Sequence, residues 1–209
     1  MSRAKNQKGR PNRQSGGDSA TQGGAPAVRL LPIAIACTVF VITFGALTIT
    51  SSLKQAPTFD EPIHLMGGYS YLKWNDYRIN PEHPPLVKLW AALPLLWMEI
   101  ADPRPFTPYW ELILKAEPGG PFSPLVREMF FARNDAESLF LPAKLQMILL
   151  SMVLGLLVCL WSYQLYGVNA AIAALFLYGL DPNILAHSPI IHSDLPFALL
   201  FFLSSYFFW

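Results

Sequence analysis

Carboxylate and imidazole side chains, which carry most proton transfers in enzymes, are concentrated in two short polar segments. The first segment begins with Asp60 and Glu61, and His64 lies four residues after Asp60. In a helix that spacing places Asp60 and His64 on one face. The second segment, HSPIIHSD at residues 187–194, has two histidines and one acid, namely His187, His192 and Asp194. Both segments offer acid–base groups, and helix capping by Asp60 and Glu61 is the alternative that the local sequence leaves open.

A proline-rich turn, NPEHPP at residues 80–85, follows the first acidic segment. Its prolines restrict the backbone around Glu82 and His83. A rigid loop suits a site that must present a group accurately, whereas a plain turn between two helices is the alternative. A zinc site is a further hypothesis, although no paired-ligand spacing marks one. Its ligands would be the four histidines, His64, His83, His187 and His192.

Cations and aromatic rings of the same region suggest substrate contacts. Arg78, Lys88 and Arg104 are suitable partners for phosphate oxygens, and ordinary surface charge is the other interpretation. Tyr69 could stack on a sugar ring, and anchoring at a membrane interface explains such an aromatic side chain equally well. These residues therefore extend the candidate site without defining its chemistry.

Composition indicates what must position these groups. Of the 209 residues, 53% are hydrophobic and 14% are charged, against about 25% charged in soluble domains. Residues 1–29 are basic and poor in large apolar side chains, so we predict a disordered tail there. Alone, this tail would suggest nucleic-acid binding. Because an apolar run follows it directly, we interpret it as a cytoplasmic flank under the positive-inside rule and expect no nucleic-acid partner.

The apolar runs predict an all-α integral membrane protein with about four transmembrane helices and an extracytoplasmic active face. The first outer loop is expected to hold two amphipathic interfacial helices, the first capped by Thr58, and Asp181-Pro182 predicts a helix break. The last run is too short for a bilayer core, so we predict the N-terminal part of a longer protein. The predicted spans are 30–50, 143–163, 169–186 and 195–209, and the connecting loops are 51–142 and 187–194.

Two long motifs resemble a known group of enzymes. The segment FDEPIHLMGGYSYLKWNDYRINPEHPPLVKLWAALPLL resembles the first extracytoplasmic loop of the protein O-mannosyltransferase and aminoarabinose transferase group in the glycosyltransferase C superfamily. The segment PNILAHSPIIHSDLPFALLFFLSSYFFW resembles the second outer loop and fourth span of that group. The resemblance covers the chain from about residue 30 to its end. The enzymes of that group are far longer than this chain.

What the resemblance implies is transfer of a sugar from a polyprenyl-phosphate donor to an acceptor hydroxyl on a protein or lipid-linked glycan. It implies that Asp60 is the catalytic base, with Glu61 beside it and Asp194 as the acid of the second loop. A cation or divalent metal ion would stabilise the leaving phosphate. Two other functions are weighed against this one, a membrane protein that keeps the loop for binding or assembly and a transporter subunit. Substrate contacts are expected from His64, Tyr69, Arg78, Glu82, His83, Lys88 and His192.

Overall fold

The computed structural model describes residues 26–106 and 125–209, and all regular elements in those ranges are helical. Most of the predicted basic tail lies outside the described residues. The proline-rich stretch after Phe106 lies wholly outside them. Short 3-10 helices form at Leu93–Trp97 and Arg104–Phe106, and a π-helical segment forms at Arg127–Ala132. The α-helices are α1 (Pro26–Ser52), α2 (Glu61–Trp74), α3 (Pro85–Ala92), α4 (Ala136–Tyr166), α5 (Val168–Leu180), α6 (Pro182–His187) and α7 (Asp194–Phe208).

Two of these helices are long and apolar enough to cross a membrane. They are the 23-residue segment Leu30–Ser52 of α1 and the 31-residue helix α4. At 1.5 Å per residue even the shorter segment measures about 34 Å, which exceeds a bilayer core of about 30 Å. Helices α5 and α7 are apolar but have only 13 and 15 residues. The structure thus shows an all-helical fold with two helices of membrane-spanning length.

The long helices form a bundle in which α4 packs against α1, α5 and α7. Phe40 and Phe44 of α1 meet Leu154 of α4 and Tyr178 of α5 in a shared apolar core. The outward faces of the bundle are also apolar, with large exposed side chains on each of the four helices. Exposed apolar surface of this extent is typical of contact with lipid or a partner protein.

A second core lies beside the polar segments and involves α2, α3 and the first turns of α4. Leu65 and Met66 pack there with Ala91, Leu95 and Met147. Ten of the fourteen residues of α2 are buried, so the expectation of an amphipathic helix with one exposed face is wrong for α2. The reason is close approach by α3, whose backbone at Lys88 lies directly against Gly68 in the middle of α2.

Some helix boundaries differ from those expected. Thr58 is not an N-cap, because α2 begins at Glu61 and Asp60 occupies the cap position. α4 begins at Ala136, before the predicted span 143–163, and the π-helical segment precedes it. The expected break at Asp181-Pro182 is confirmed. The Asp181 side chain accepts hydrogen bonds from the backbone nitrogens of Asn183 and Ile184 at 2.8 and 3.0 Å and so starts α6.

Candidate functional site

Glu61 is the buried centre of the candidate site, with only 1% of its surface exposed. Its Oε2 accepts a hydrogen bond from the backbone nitrogen of Thr58 at 2.6 Å, and its Oε1 accepts one from that of Ile191 at 3.1 Å. The ammonium of Lys144 lies 3.9 Å from Oε1. Because its oxygens are already engaged by these groups, Glu61 acts in this arrangement as an anchor that joins three chain segments.

Asp60 is exposed and directly precedes this anchor. Its backbone carbonyl accepts the hydrogen bond of the His64 nitrogen at 3.0 Å, so the main chain at Asp60 is fixed. Its side chain makes no capping hydrogen bond to the helix. The main chain of Asp60 is therefore fixed at the start of α2, and the residue is exposed on the surface. Asp60 thus occupies the N-cap position without a side-chain capping bond, and the interaction of its charge with the helix dipole stays an alternative explanation for this acid.

Three histidines from separate segments surround a small cavity of about 10 Å³, which we call the histidine cavity. His64 of α2, His83 of the proline-rich turn and His192 of the second polar segment all line it. The ring centroids of His64 and His83 are 5.0 Å apart. His187 is exposed beside this group, with its ring 5.5 Å from that of His192. The fold thus brings together histidines that are up to 128 positions apart in the chain.

Burial favours the neutral form of His64 and His192. It lowers the pKa of His64 to about 4, and His83 and Lys88 add to this effect while Asp60 opposes it. Burial also lowers the pKa of His192, against the opposing charge of Asp194. A neutral imidazole has one nitrogen that is able to accept a hydrogen bond at neutral pH.

His192 and Asp194 are coupled through the backbone. The nitrogen of Asp194 donates a hydrogen bond to Nδ1 of His192 at 3.0 Å. Nε2 of His192 is buried and has no hydrogen-bond partner among the described residues. Asp194 is the first residue of α7 and is exposed, as Asp60 is at the start of α2. Each polar segment therefore presents one exposed carboxylate next to a histidine of the histidine cavity.

Lys88, expected to contact a substrate, instead points into the protein and is 2% exposed. Its ammonium donates to the backbone oxygens of Asn80 and His83 and to the hydroxyl of Tyr71. Burial lowers its pKa to about 8, and Glu82 opposes the shift. Lys88 thus closes the proline-rich turn by binding the carbonyl groups of that turn.

The remaining predicted substrate contacts are dispersed. Tyr69 is buried in the second core, where its ring meets Trp74 edge to face with centroids 5.4 Å apart. Arg78 forms an ion pair with Asp76 at 2.5 Å, on the surface. Glu82 is exposed on the proline-rich turn. Tyr69 is therefore inaccessible in this arrangement, whereas Glu82 remains open to solvent.

The four-histidine zinc hypothesis is not supported by the side-chain geometry. Within residues 26–106 and 125–209, no group of three His, Cys, Asp or Glu side chains is arranged to hold a metal ion. His64, His83 and His192 share the histidine cavity, but its volume of about 10 Å³ is close to that of one water-sized probe.

Sequence reasoning missed two residues that position the site, Lys144 and Ile191. Lys144 lies within the apolar sequence LPAKLQMILL, where a buried cation is costly unless a partner is near. That cost was a signal that an acid from another segment must approach α4. Ile191 contributes only its backbone nitrogen, which leaves no mark in the side-chain pattern.

Comparisons of this chain with protein-family models, with curated proteins and with solved structures find no match. The resemblance to the glycosyltransferase C superfamily therefore stays a prediction from the two motifs. Any assignment of function must be argued from those motifs and from the geometry around Glu61.

Proposed function

We propose that the chain is a membrane glycosyltransferase that transfers a sugar from a polyprenyl-phosphate donor to an acceptor hydroxyl. The observation that carries the proposal is the hydrogen bond from the Ile191 nitrogen to Glu61, which fastens the two polar segments together. Asp60 lies one residue before Glu61, and Asp194 lies three residues after Ile191. The charge of Asp60 acts on His64 and that of Asp194 acts on His192, and both histidines line the histidine cavity.

The proposed chemistry assigns the proton transfer to Asp60. An acceptor hydroxyl has a high pKa, so a positioned carboxylate must take its proton as the oxygen attacks the anomeric carbon. The new bond joins the acceptor oxygen to that carbon, while the bond from the carbon to the phosphate oxygen breaks. Polyprenyl phosphate leaves with the electron pair of the broken bond. We assign no step to a metal ion, because the described residues offer no group arranged to hold one.

The proposal includes a multi-pass topology with the polar segments on the extracytoplasmic side. Helices α1 and α4 have the length and composition to span a bilayer. Helices α5 and α6 follow one another over residues 168–187 and form the third proposed span, which the break at Asp181 divides. Exposed Phe176 and Leu177 on α5 and Phe201 on α7 suit contact with lipid chains. In the proposed topology α7 is the fourth span, and lipid covers the apolar outer surface of the bundle.

The decisive experiment replaces Asp60 with Asn in the full chain and measures transfer from a labelled polyprenyl-phosphate sugar in membranes. Removing a general base is expected to lower the rate by about 100-fold to 10,000-fold. The matched control is Glu99→Gln, which neutralises an exposed acid beyond α3 and should leave transfer unchanged. Transfer at the wild-type rate in Asp60→Asn, with normal membrane insertion, contradicts the assignment of the base.

A further inference from the structure

A cavity of about 520 Å³ lies between the C-terminal end of α1 and the first turns of α4. We call it the α1–α4 cavity. One wall is the segment from Ser52 to Pro57, and the other is formed by residues of α4 with Phe131. Its volume falls within the range of about 300 to 1,000 Å³ that is usual for small-molecule sites. Nothing in the proposed sugar transfer uses it.

The lining of the α1–α4 cavity is divided between apolar and cationic groups. Leu53, Phe140 and Leu141 supply apolar surface, whereas Lys54 and Lys144 supply two positive charges. The lining also contains the acid Glu137, and the carboxylate of Glu61 lies 3.9 Å from the Lys144 ammonium. A cavity of this kind is complementary to an amphiphile that has an anionic head and an apolar chain.

Lys144 has donor capacity that its contacts do not use. The residue is 5% exposed, and its ammonium lies 3.5 Å from the Gln55 carbonyl oxygen and 3.9 Å from the Glu61 carboxylate. Both distances exceed the 2.7–2.9 Å of a strong charge-assisted hydrogen bond, and an ammonium has three N–H groups to donate. A phosphate oxygen within the cavity would give this buried cation the short contact that it lacks.

The place of the cavity in the fold indicates the source of such a phosphate. It lies where the membrane-length segment of α1 ends at Ser52 and where α4 begins at Ala136. In the proposed membrane orientation these ends reach the level of the lipid headgroups. We infer that the α1–α4 cavity binds an anionic glycerophospholipid, with its phosphate on Lys144 and Lys54 and its first methylene groups along Phe140 and Leu141.

This inference rests on the membrane location in the proposed function and is independent of sugar transfer. The test uses the purified full chain in detergent and follows binding of dioctanoyl phosphatidylglycerol by native mass spectrometry. Zwitterionic dioctanoyl phosphatidylcholine and inorganic phosphate are the comparison ligands. We expect phosphatidylglycerol to bind about tenfold more tightly than either, because both the net charge and the chain contribute.

Substitutions test the charged and the apolar parts of the cavity separately. Lys144→Gln is expected to weaken phosphatidylglycerol binding about tenfold, and Lys54→Gln by a smaller factor because Lys54 is exposed. Leu141→Trp fills the cavity without altering the contact with Glu61, and it should reduce binding while thermal unfolding stays unchanged. Lys73→Gln, an exposed lysine of α2 outside the cavity, is the matched control.

Several results would overturn the assignment. Equal affinity for phosphatidylglycerol and phosphatidylcholine removes the role of net charge, and equal affinity for inorganic phosphate removes the role of the chain. Wild-type binding in both Lys144→Gln and Leu141→Trp places the lipid elsewhere. Displacement of phosphatidylglycerol by a more tightly bound polyprenyl phosphate assigns the cavity to the sugar carrier instead. Since no sugar donor is present, these outcomes are distinct from a failure of glycosyl transfer.

Discussion

The carboxylate of Glu61 accepts a hydrogen bond from the backbone nitrogen of Ile191 at 3.1 Å, across 130 positions of the chain. The same carboxylate holds the Thr58 nitrogen and faces the ammonium of Lys144. One buried acid therefore ties the start of α2 to α4 and to the loop between α6 and α7. Its neighbour Asp60 takes its position on the protein surface from this contact.

Replacing Glu61 with Ala should lower the free energy of unfolding by about 3 kcal/mol, because it leaves the buried Lys144 cation without its acid. It also removes the acceptor for two backbone nitrogens. Equilibrium unfolding of the full chain in detergent measures this loss. The exposed acid Glu99 provides the control, since Glu99→Ala should change stability by less than about 0.5 kcal/mol.

A double substitution separates the ion pair from general damage to the fold. If the unpaired cation causes the loss, Glu61→Met combined with Lys144→Met should be more stable than Glu61→Ala alone, because two apolar side chains replace both charges. An equal loss of unfolding free energy in the single and the double variant would show that the unpaired cation is not the cause of the loss.

Gly68→Ala should separate α2 from α3. A methyl group at Gly68 would overlap the Lys88 carbonyl oxygen and lie 2.9 Å from the Ala92 side chain. Because the obstacle is backbone, the helices must move apart, at an expected cost of about 3 kcal/mol in unfolding free energy. The measurement is again equilibrium unfolding in detergent.

The neighbouring glycine gives a matched comparison. A methyl group at Gly67 would lie 3.2 Å from the Ile79 carbonyl oxygen, which requires only a small shift. Gly67→Ala should therefore cost less than about 1 kcal/mol, since the gain in helix propensity offsets part of the strain. Equal losses at the two glycines would contradict the close packing described for α2 and α3.

Lys88→Met tests whether this lysine holds the proline-rich turn. Its loss leaves the carbonyl groups of Asn80 and His83 without their buried donor, which should cost about 2–3 kcal/mol and increase proteolysis of residues 80–85. Lys73→Met at an exposed position of α2 serves as the control. Unchanged stability together with weaker donor binding would favour the substrate role predicted from the sequence.

The stability of the protein should fall as the pH is lowered from about 6.5 to about 4. His64 is 8% exposed, and its pKa in the folded protein is about 4. The unfolded chain, with a histidine pKa near 6.5, therefore binds more protons in this window. The contribution of His64 to the free energy of unfolding is fully present above pH 6.5. It decreases by about 3 kcal/mol as the pH approaches 4. The lowered pKa of His192 acts in the same direction.

His64→Gln should flatten this pH dependence, because glutamine does not titrate. Unfolding free energy measured between pH 4 and pH 7 for both proteins provides the comparison. The same slope in wild type and His64→Gln would show that other groups control acid sensitivity.

Local sequence was sufficient for the helical character of the described fold. Long uncharged runs predicted α1 and the apolar part of α4, and the Asp181-Pro182 pair predicted the break before α6. These features depend on neighbouring residues, since chain length, hydrophobic composition and proline geometry act within a few turns. The same reasoning placed Asp60 and His64 at the start of one helix.

Only the tertiary structure decided how the polar residues are used. In the folded chain Glu61 is buried against Ile191 and Lys144. The Lys88 ammonium binds a carbonyl group of the proline-rich turn, whereas Asp60 and Asp194 are exposed. Local patterns cannot distinguish a buried acid from an exposed one when both lie in the same helix start. That difference arises from segments distant in sequence, because a charge is stable in the interior only where another part of the chain brings its partner.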